Sequence, residues 1–326
     1  MKQIKNELTK FFLTQYSMII ILFLIFILLM LYLVFPIVFN YNNDQQTFSQ
    51  DNWKQEVTKK QKSLDKKIQT IENKKNIQPK DKADLQSYQD EKLRLEKYKE
   101  YNINPPAQNN LYDNSLTITG LNKLVALSII LLSSMVISKE FTDKTIQTLF
   151  LQPISKRKII LSKIGSLFLI NAFLLFVFYL TSILFSFVVS SSKYTGGLIV
   201  KNLNTGDFNT VDFTCLMSRL FIGDYIYTII YSLIALLITI LFKGNLISVG
   251  IPILFLFCWS SVSGFFKSFL KSDFLIPNHW NLNEHFGIIS QTSLETSSYT
   301  ESLAVSTITI LILLVLNTIA FKKIKL

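Results

Sequence analysis

Catalytic and redox chemistry are what this chain lacks. Its 326 residues include two cysteines, Cys215 in a polar stretch and Cys258 in an apolar one, so no disulfide framework holds it. None of its ten glycines falls in a G-x-x-x-x-G-K-S/T arrangement, which excludes a phosphate-cradling loop of that kind. H-E-x-x-H, G-x-S-x-G and C-x-x-C are missing too. The two histidines, His279 and His285, stand six apart with only Glu284 beside them. That is a poor metal pattern. With Trp259, Trp280 and Phe286 close by, it reads better as interfacial aromatics and half-buried re-entrant helices. No metal site and no bound cofactor are expected, and no internal repeat at solenoid periods is visible.

Apolar residues are what the chain has instead. They make up 49% of it, and they cluster. Runs of about 18 or more are candidate transmembrane helices. Tyr16–Asn40, Leu121–Ile137, Ile159–Ser190, Ile222–Phe242, Leu246–Phe266 and Leu303–Phe321 meet that test with a few polar interruptions. Lys243, Gly244 and Asn245 alone separate the fourth run from the fifth, a tight turn. The first run is too long for a signal-peptide core and no small-residue cleavage site follows it.

A net charge of +11 invites a nucleic-acid partner, but the positions of the charges argue against one. Lys2, Lys5, Lys10, Lys139, Lys144, Lys156, Arg157, Lys158, Lys163, Lys243, Lys322, Lys323 and Lys325 flank the spans on one side. Lys193, Lys201, Arg219, Lys267 and Lys271 are thinly spread over the opposite loops. The positive-inside rule then places both termini in the cytoplasm, with an even number of spans. Abundant Lys, Asn, Ile and Phe beside scarce Arg and Ala suit an AT-rich bacterial genome, hence a bacterial cell membrane. The fold class expected is an all-α polytopic membrane protein of six spans.

Residues 41–115 form a polar insertion between the first two spans. Trp53, Val57, Leu64, Ile68 and Ile71 recur at heptad-like spacings, and Leu85, Tyr88, Leu95 and Tyr98 do so after a turn at Asn76–Asp81. Asp81 is the expected cap of the second helix, and Pro105-Pro106 its end. The reading is an extracellular antiparallel helical hairpin, a short coiled coil. Its 14 Lys/Arg nearly balance 12 Asp/Glu, as a solvated surface would. It is either a passive spacer or a contact for an extracellular protein or peptide. The chain thus divides into 1–40 (an amphipathic start and the first span), 41–115 (the hairpin) and 116–326 (spans two to six).

The stretch Ile137–Lys163, ISKEFTDKTIQTLFLQPISKRKIILSK, is a charged amphipathic passage between two spans. At helical spacing Phe141, Thr145, Ile146, Leu149 and Phe150 share a face, with Lys139, Thr142, Asp143, Gln147 and Thr148 opposite. Pro153 disfavours helix at Gln152, and Ser155 is a plausible cap for the next helix. A short cytoplasmic helix at 138–152 with a basic collar follows. It either anchors the chain in lipid headgroups or takes force from a partner.

This passage resembles the loop after the second span in ABC-2-type transporter permeases. That family shows a Glu-Phe/Tyr pair, a Gly-Thr-Ile-type step, a run of Leu, a Pro, a basic cluster and a Ser-Lys entering the third span. Here these are Glu140 and Phe141, Thr145 and Ile146, Leu149 and Leu151, Pro153, Lys156 to Lys158, and Ser162 with Lys163; Lys144 stands where the family usually has Gly. Asn6, Glu7 and Lys10 match a common Asn-Glu-x-x-Lys step, and the hydrophilic insertion ending in Pro105-Pro106 resembles one bacterial subgroup.

The resemblance implies a permease subunit without a catalytic site of its own. A second permease, identical or homologous, would pair with it. Two ABC ATPase subunits holding ATP and Mg would dock beneath. Glu140, Phe141, Thr145, Ile146, Leu149, Pro153, Arg157 and Lys163 would carry the coupling; Lys156, Arg157 and Lys158 would touch the ATPase or anionic lipid. The spans are nearly free of ionisable groups, with Lys123 near one end and Asn122, Asn171 and Tyr179 as the notable polar residues. Ion-coupled carriers use buried carboxylates, so the energy should come from the ATPase. Charge-poor spans favour export of an amphipathic or lipidic substrate, such as an antimicrobial peptide. The hairpin favours a non-transporting receptor or mechanotransmitter.

Overall fold

A computed structural model of the chain describes residues 52–73, 79–105, 121–151, 153–189, 198–201, 208–267, 275–286 and 298–324, with Thr9, Ser115 and Thr119 in addition. The expected first span, Tyr16–Asn40, and the amphipathic start lie outside the described residues.

The polar insertion forms α1 (Trp53–Glu72) and α2 (Pro79–Glu100). Val57, Leu64 and Leu95 close the seam between them, with Trp53 and Tyr88 packed alongside. Lys92 pairs with Asp65 at 2.7 Å, and Lys99 donates to Thr58 and Gln61. Partners thus run in opposite order along the two helices, which makes the pair antiparallel. Pro79, not Asp81, opens α2; proline suits a first helical position because its missing N–H would be orphaned there anyway. The helix also stops before Pro105-Pro106, at Glu100, where Asn102 turns left-handed with φ 53°.

Below it, α3 (Asn122–Thr142), α5 (Lys156–Val189), α6 (Phe213–Phe242) and α8 (Tyr299–Lys322) carry stretches long and apolar enough to cross a membrane. The short α4 (Thr145–Leu151) links α3 to α5. The fifth expected span is helical as α7 (Asn245–Lys267), but its described apolar stretch, Leu246–Trp259, is shorter than the others, and Pro252 interrupts its hydrogen bonding. Four of the six expected spans are therefore visible as such among the described residues.

The centre of the bundle is α6, which packs on α3, α5, α7 and α8. Small hydroxyl residues let α3 approach it: Ser133 Oγ donates to Ser232 Oγ at 2.8 Å, and both are buried. Asn317 of α8 donates to the Leu233 carbonyl of α6 at 3.1 Å. The turn from α6 to α7 uses Lys243 in the left-handed region, with φ 53°. α8 begins with a full capping box, in which Glu301 N donates to Ser298 Oγ and Ser298 N donates to Glu301 Oε2.

A two-stranded antiparallel sheet, β1 (Leu198–Lys201) and β2 (Phe208–Val211), precedes α6. The foot of α2 rests on it: Ile199 N donates to Tyr98 Oη at 3.3 Å, and Tyr98, Ile199 and Ile103 share a small apolar cluster. Only Asp212 separates β2 from α6. The helical hairpin is thereby tied to the central helix through one residue of linker.

Candidate functional site

Every residue expected to carry coupling has a described position, and the geometry differs from a single helix over 138–152. The chain breaks at Asp143 and Lys144, and Lys144 holds φ 54°. Phe141 therefore ends α3, while Ile146, Leu149 and Phe150 belong to α4. Thr145, expected on the apolar face, is exposed. A left-handed residue has a Cβ penalty that glycine escapes, which explains why glycine suits this position.

Glu140 lies in the last turn of α3, not beside a helix start. A carboxylate there opposes the helix dipole. Lys163, from the third turn of α5, offsets it: its Nζ donates to Glu140 Oε1 at 2.6 Å. The lysine side chain is fully buried, and that of the glutamate is 14% exposed. Buried ions left unpaired are costly, so each partner holds the other in place.

α4 is also fastened to the end of α8. Phe150 meets Phe321 edge-on with centroids 5.6 Å apart. Lys156 Nζ sits 4.2 Å from the Phe150 centroid and donates to the Ile324 carbonyl at 2.8 Å. Ile146 is buried, and Phe141, Leu149, Phe150 and Ile154 pack against the same core. α4 therefore touches the ends of three long helices through one seven-residue piece. Its other face is open: Gln147, Thr148 and Leu151 are exposed, Leu151 at 80%, as are Pro153 just beyond it and Arg157 and Lys158 at the start of α5.

The sequence profile of the ABC-2 family transporter proteins matches residues 5–326. The chain belongs to the ABC-2 transporter family. No curated protein sequence matches it. As an ABC-2 family member with apolar helices of spanning length, it is an integral membrane component of a transport system, and such components generally work with an ABC ATPase subunit.

A second cluster lies at the far end of the ABC-2 chain's bundle. Asn122 and Glu140 are separated by about 27 Å along α3 at 1.5 Å per residue. Asp224 of α6, 1% exposed, accepts from Asn122 Nδ2 at 2.6 Å and Asn283 Nδ2 at 2.7 Å on one oxygen, and from Tyr179 Oη at 2.6 Å on the other. The cluster joins α3, α5, α6 and the segment before α8. Asp224 corrects the expectation of spans almost free of ionisable residues: a carboxylate is buried here with neutral partners only, among the described residues. Asn122 and Tyr179 stood out in the sequence, but nothing in their spacing links them to Asp224. In α5, Asn171 is 1% exposed with neither amide atom partnered.

Where re-entrant helices are expected, the described residues form two short 3-10 turns, Ile276–His279 and Leu282–Phe286. Trp280 stands edge-on to Tyr231 at 6.0 Å and near Phe255 at 5.8 Å, and Trp259 Nε1 donates to Asn278 Oδ1 at 2.8 Å. Leu282 is fully buried. The Asn283 side chain approaches α6 at Gly223, where an added Cβ would lie 2.2 Å from Asn283 Oδ1. His279 Nδ1 and His285 Nε2 converge on Ser302 Oγ, at 2.9 and 2.8 Å. Burial, and then the neighbouring His279, holds the His285 imidazole below its usual pKa. Among the described residues, no group of three or more metal-ligating side chains gathers.

Proposed function

We propose that the chain is the permease subunit of an ATP-driven exporter, with α4 as the piece that receives the ATPase's motion. One observation carries the reading. α4 is braced at once on α3, α5 and α8, while Leu151 and the basic pair Arg157 and Lys158 are left open to a partner. A push on a braced seven-residue helix is transmitted to three long helices, and the bundle is a two-state element biased by nucleotide on the partner. In this reading Glu140 and Lys163 hold the brace, Ile146, Leu149 and Phe141 seat it, Thr145 and Arg157 face the partner, and Pro153 separates α4 from α5. Two permeases and two ATPases complete the assembly. Six spans, cytoplasmic termini, a bacterial cell membrane and an extracellular hairpin belong to the same proposal. The substrate class that suits charge-poor spans is amphipathic or lipidic, an antimicrobial peptide for example.

The test is co-purification with the cognate ATPase. Leu151→Asp with Arg157→Glu should abolish ATPase capture without lowering the thermal midpoint of the chain, because neither side chain is buried. Full retention of the ATPase by this variant would leave α4 as an interfacial anchor.

A second reading rests on the hairpin. Its foot holds β1 through Tyr98 and Ile199, and β2 runs into α6. Force from the ATPase would then travel outward to a hairpin-bound partner, and the protein would act as a mechanotransmitter. Tyr98→Ala separates the readings: a mechanotransmitter should lose signalling through the hairpin, whereas an exporter should keep its export.

A further inference from the structure

The segment Ile276–Phe286 is wedged into the bundle end by polar contacts that do not balance. Asn283 Nδ2 donates to Asp224 Oδ1 and, at 3.2 Å, to the Leu220 carbonyl, but Asn283 Oδ1 is buried without a partner. Trp280 Nε1 is buried and unpartnered as well. A released wedge would give both groups water, so the docked state carries a desolvation cost that its packing must offset. Such an element is poised between two positions.

One of its polar holds on α8 depends on a proton count. Ser302 Oγ has one hydrogen and receives two ring nitrogens, His279 Nδ1 and His285 Nε2. With both rings neutral, one ring N–H donates to Oγ while Oγ–H donates to the other ring. With one ring protonated the same pattern holds. With both protonated, each ring must donate to Oγ, the serine hydrogen loses its acceptor, and two cations share one buried hydroxyl. The site therefore accommodates one proton and not two.

We propose that Ile276–Phe286 is a proton-sensitive wedge, seated while His279 and His285 hold at most one extra proton between them and released when both are charged. Tyr299, Glu301 and Asp224 lie on the elements packed against the pair. From α8, Tyr299 presents its ring edge to His285 at 6.0 Å, and Glu301 is engaged by the Ser298 cap. From α6, Asp224 reaches the wedge only through Asn283. Ser306 Oγ also donates to the His279 carbonyl at 2.8 Å, a further tie from α8 that release of the wedge must break. The low pKa direction of His285 agrees with this arrangement.

The experiment is amide hydrogen exchange on the purified full chain in lipid nanodiscs, with exchange across Trp280–His285 normalised to α6 amides at each pH. From about pH 7.5 to about pH 5 the normalised rate in the parent should rise about tenfold. A flat ratio overturns the proposal. His279→Asn places an amide where Nδ1 was, and His285→Gln does so for Nε2; the double variant keeps both hydrogen bonds and titrates at neither. It should stay protected at low pH. His285→Gln alone should behave the same way, and it serves if the double variant does not fold. Release of these variants at the parent's pH would place the trigger elsewhere and sink the idea. Gly223→Ala should expel the wedge already at neutral pH, and adding Asn283→Ala should reseat it. A protected wedge in Gly223→Ala would show that the seat itself is misassigned. None of these readouts requires an ATPase, so their failure is distinguishable from failure of the permease reading.

Discussion

Lys163 Nζ lies 2.6 Å from Glu140 Oε1, joining the early part of α5 to the end of α3 at one end of the bundle. The lysine side chain is fully buried, so the pair is a structural joint and not a surface ornament. Removing one partner strands the other. Glu140→Gln or Lys163→Met should each cost about 3 kcal/mol, read as a lowered thermal midpoint in detergent. Glu140→Met combined with Lys163→Met should recover most of that loss. If the double variant is as unstable as the sum of the singles, the two residues act independently.

Lys144→Gly should stabilise the chain. Lys144 is not inside a helix, so glycine's helix penalty does not apply; the residue sits at φ 54°, where glycine relieves about 1 kcal/mol of strain. Lys144→Val should have the opposite sign. Thermal unfolding of the two variants under one condition decides between them, and equal midpoints would mean that the left-handed turn is not retained.

The Asp224 cluster separates loss of an acceptor from loss of volume. Asp224→Leu leaves Asn122, Tyr179 and Asn283 without their acceptor, at about 1–3 kcal/mol for each orphaned group. Asp224→Asn keeps an oxygen for part of the set and should be milder. A chain that tolerates leucine as well as asparagine at 224 would show that these hydrogen bonds contribute little to the fold.

Stability should fall with acid partly through His285. Its folded pKa lies below the unfolded value, so the unfolded chain binds the proton more tightly. The contribution is complete above about pH 6.5, the ordinary histidine value, and is lost as pH drops through the lower folded value. His285→Gln should flatten the unfolding midpoint over this interval. An unchanged slope would assign the acid sensitivity to other groups.

Much of this protein is legible as sequence because its strongest signals are one-dimensional. Apolar runs such as Ile222–Phe242 and Leu303–Phe321 identify themselves by length alone, since lipid demands about 20 apolar residues of a helix. The heptad spacing of Val57, Leu64 and Leu95 likewise announces a helix pair before any partner is known. The ordered signs from Glu140 to Lys163 were enough to raise the family that the profile over residues 5–326 then showed.

What spacing could not supply was long-range. Phe141 and Ile146 looked like one helical face because a period of 3.6 does not register a left-handed residue at Lys144 between them. Glu140 looked like the start of a helix because its partner, 23 residues on, is brought near only when α5 folds back along α3. Asp224 becomes a node only when three other elements deliver Asn122, Tyr179 and Asn283 to it. The same holds for His279 and His285, whose sequence separation says nothing of Ser302. Local patterning dictates which segments are helices and which of their faces shun water. The pairing of buried polar groups depends on helix crossings, and those are set by side-chain packing across the whole bundle.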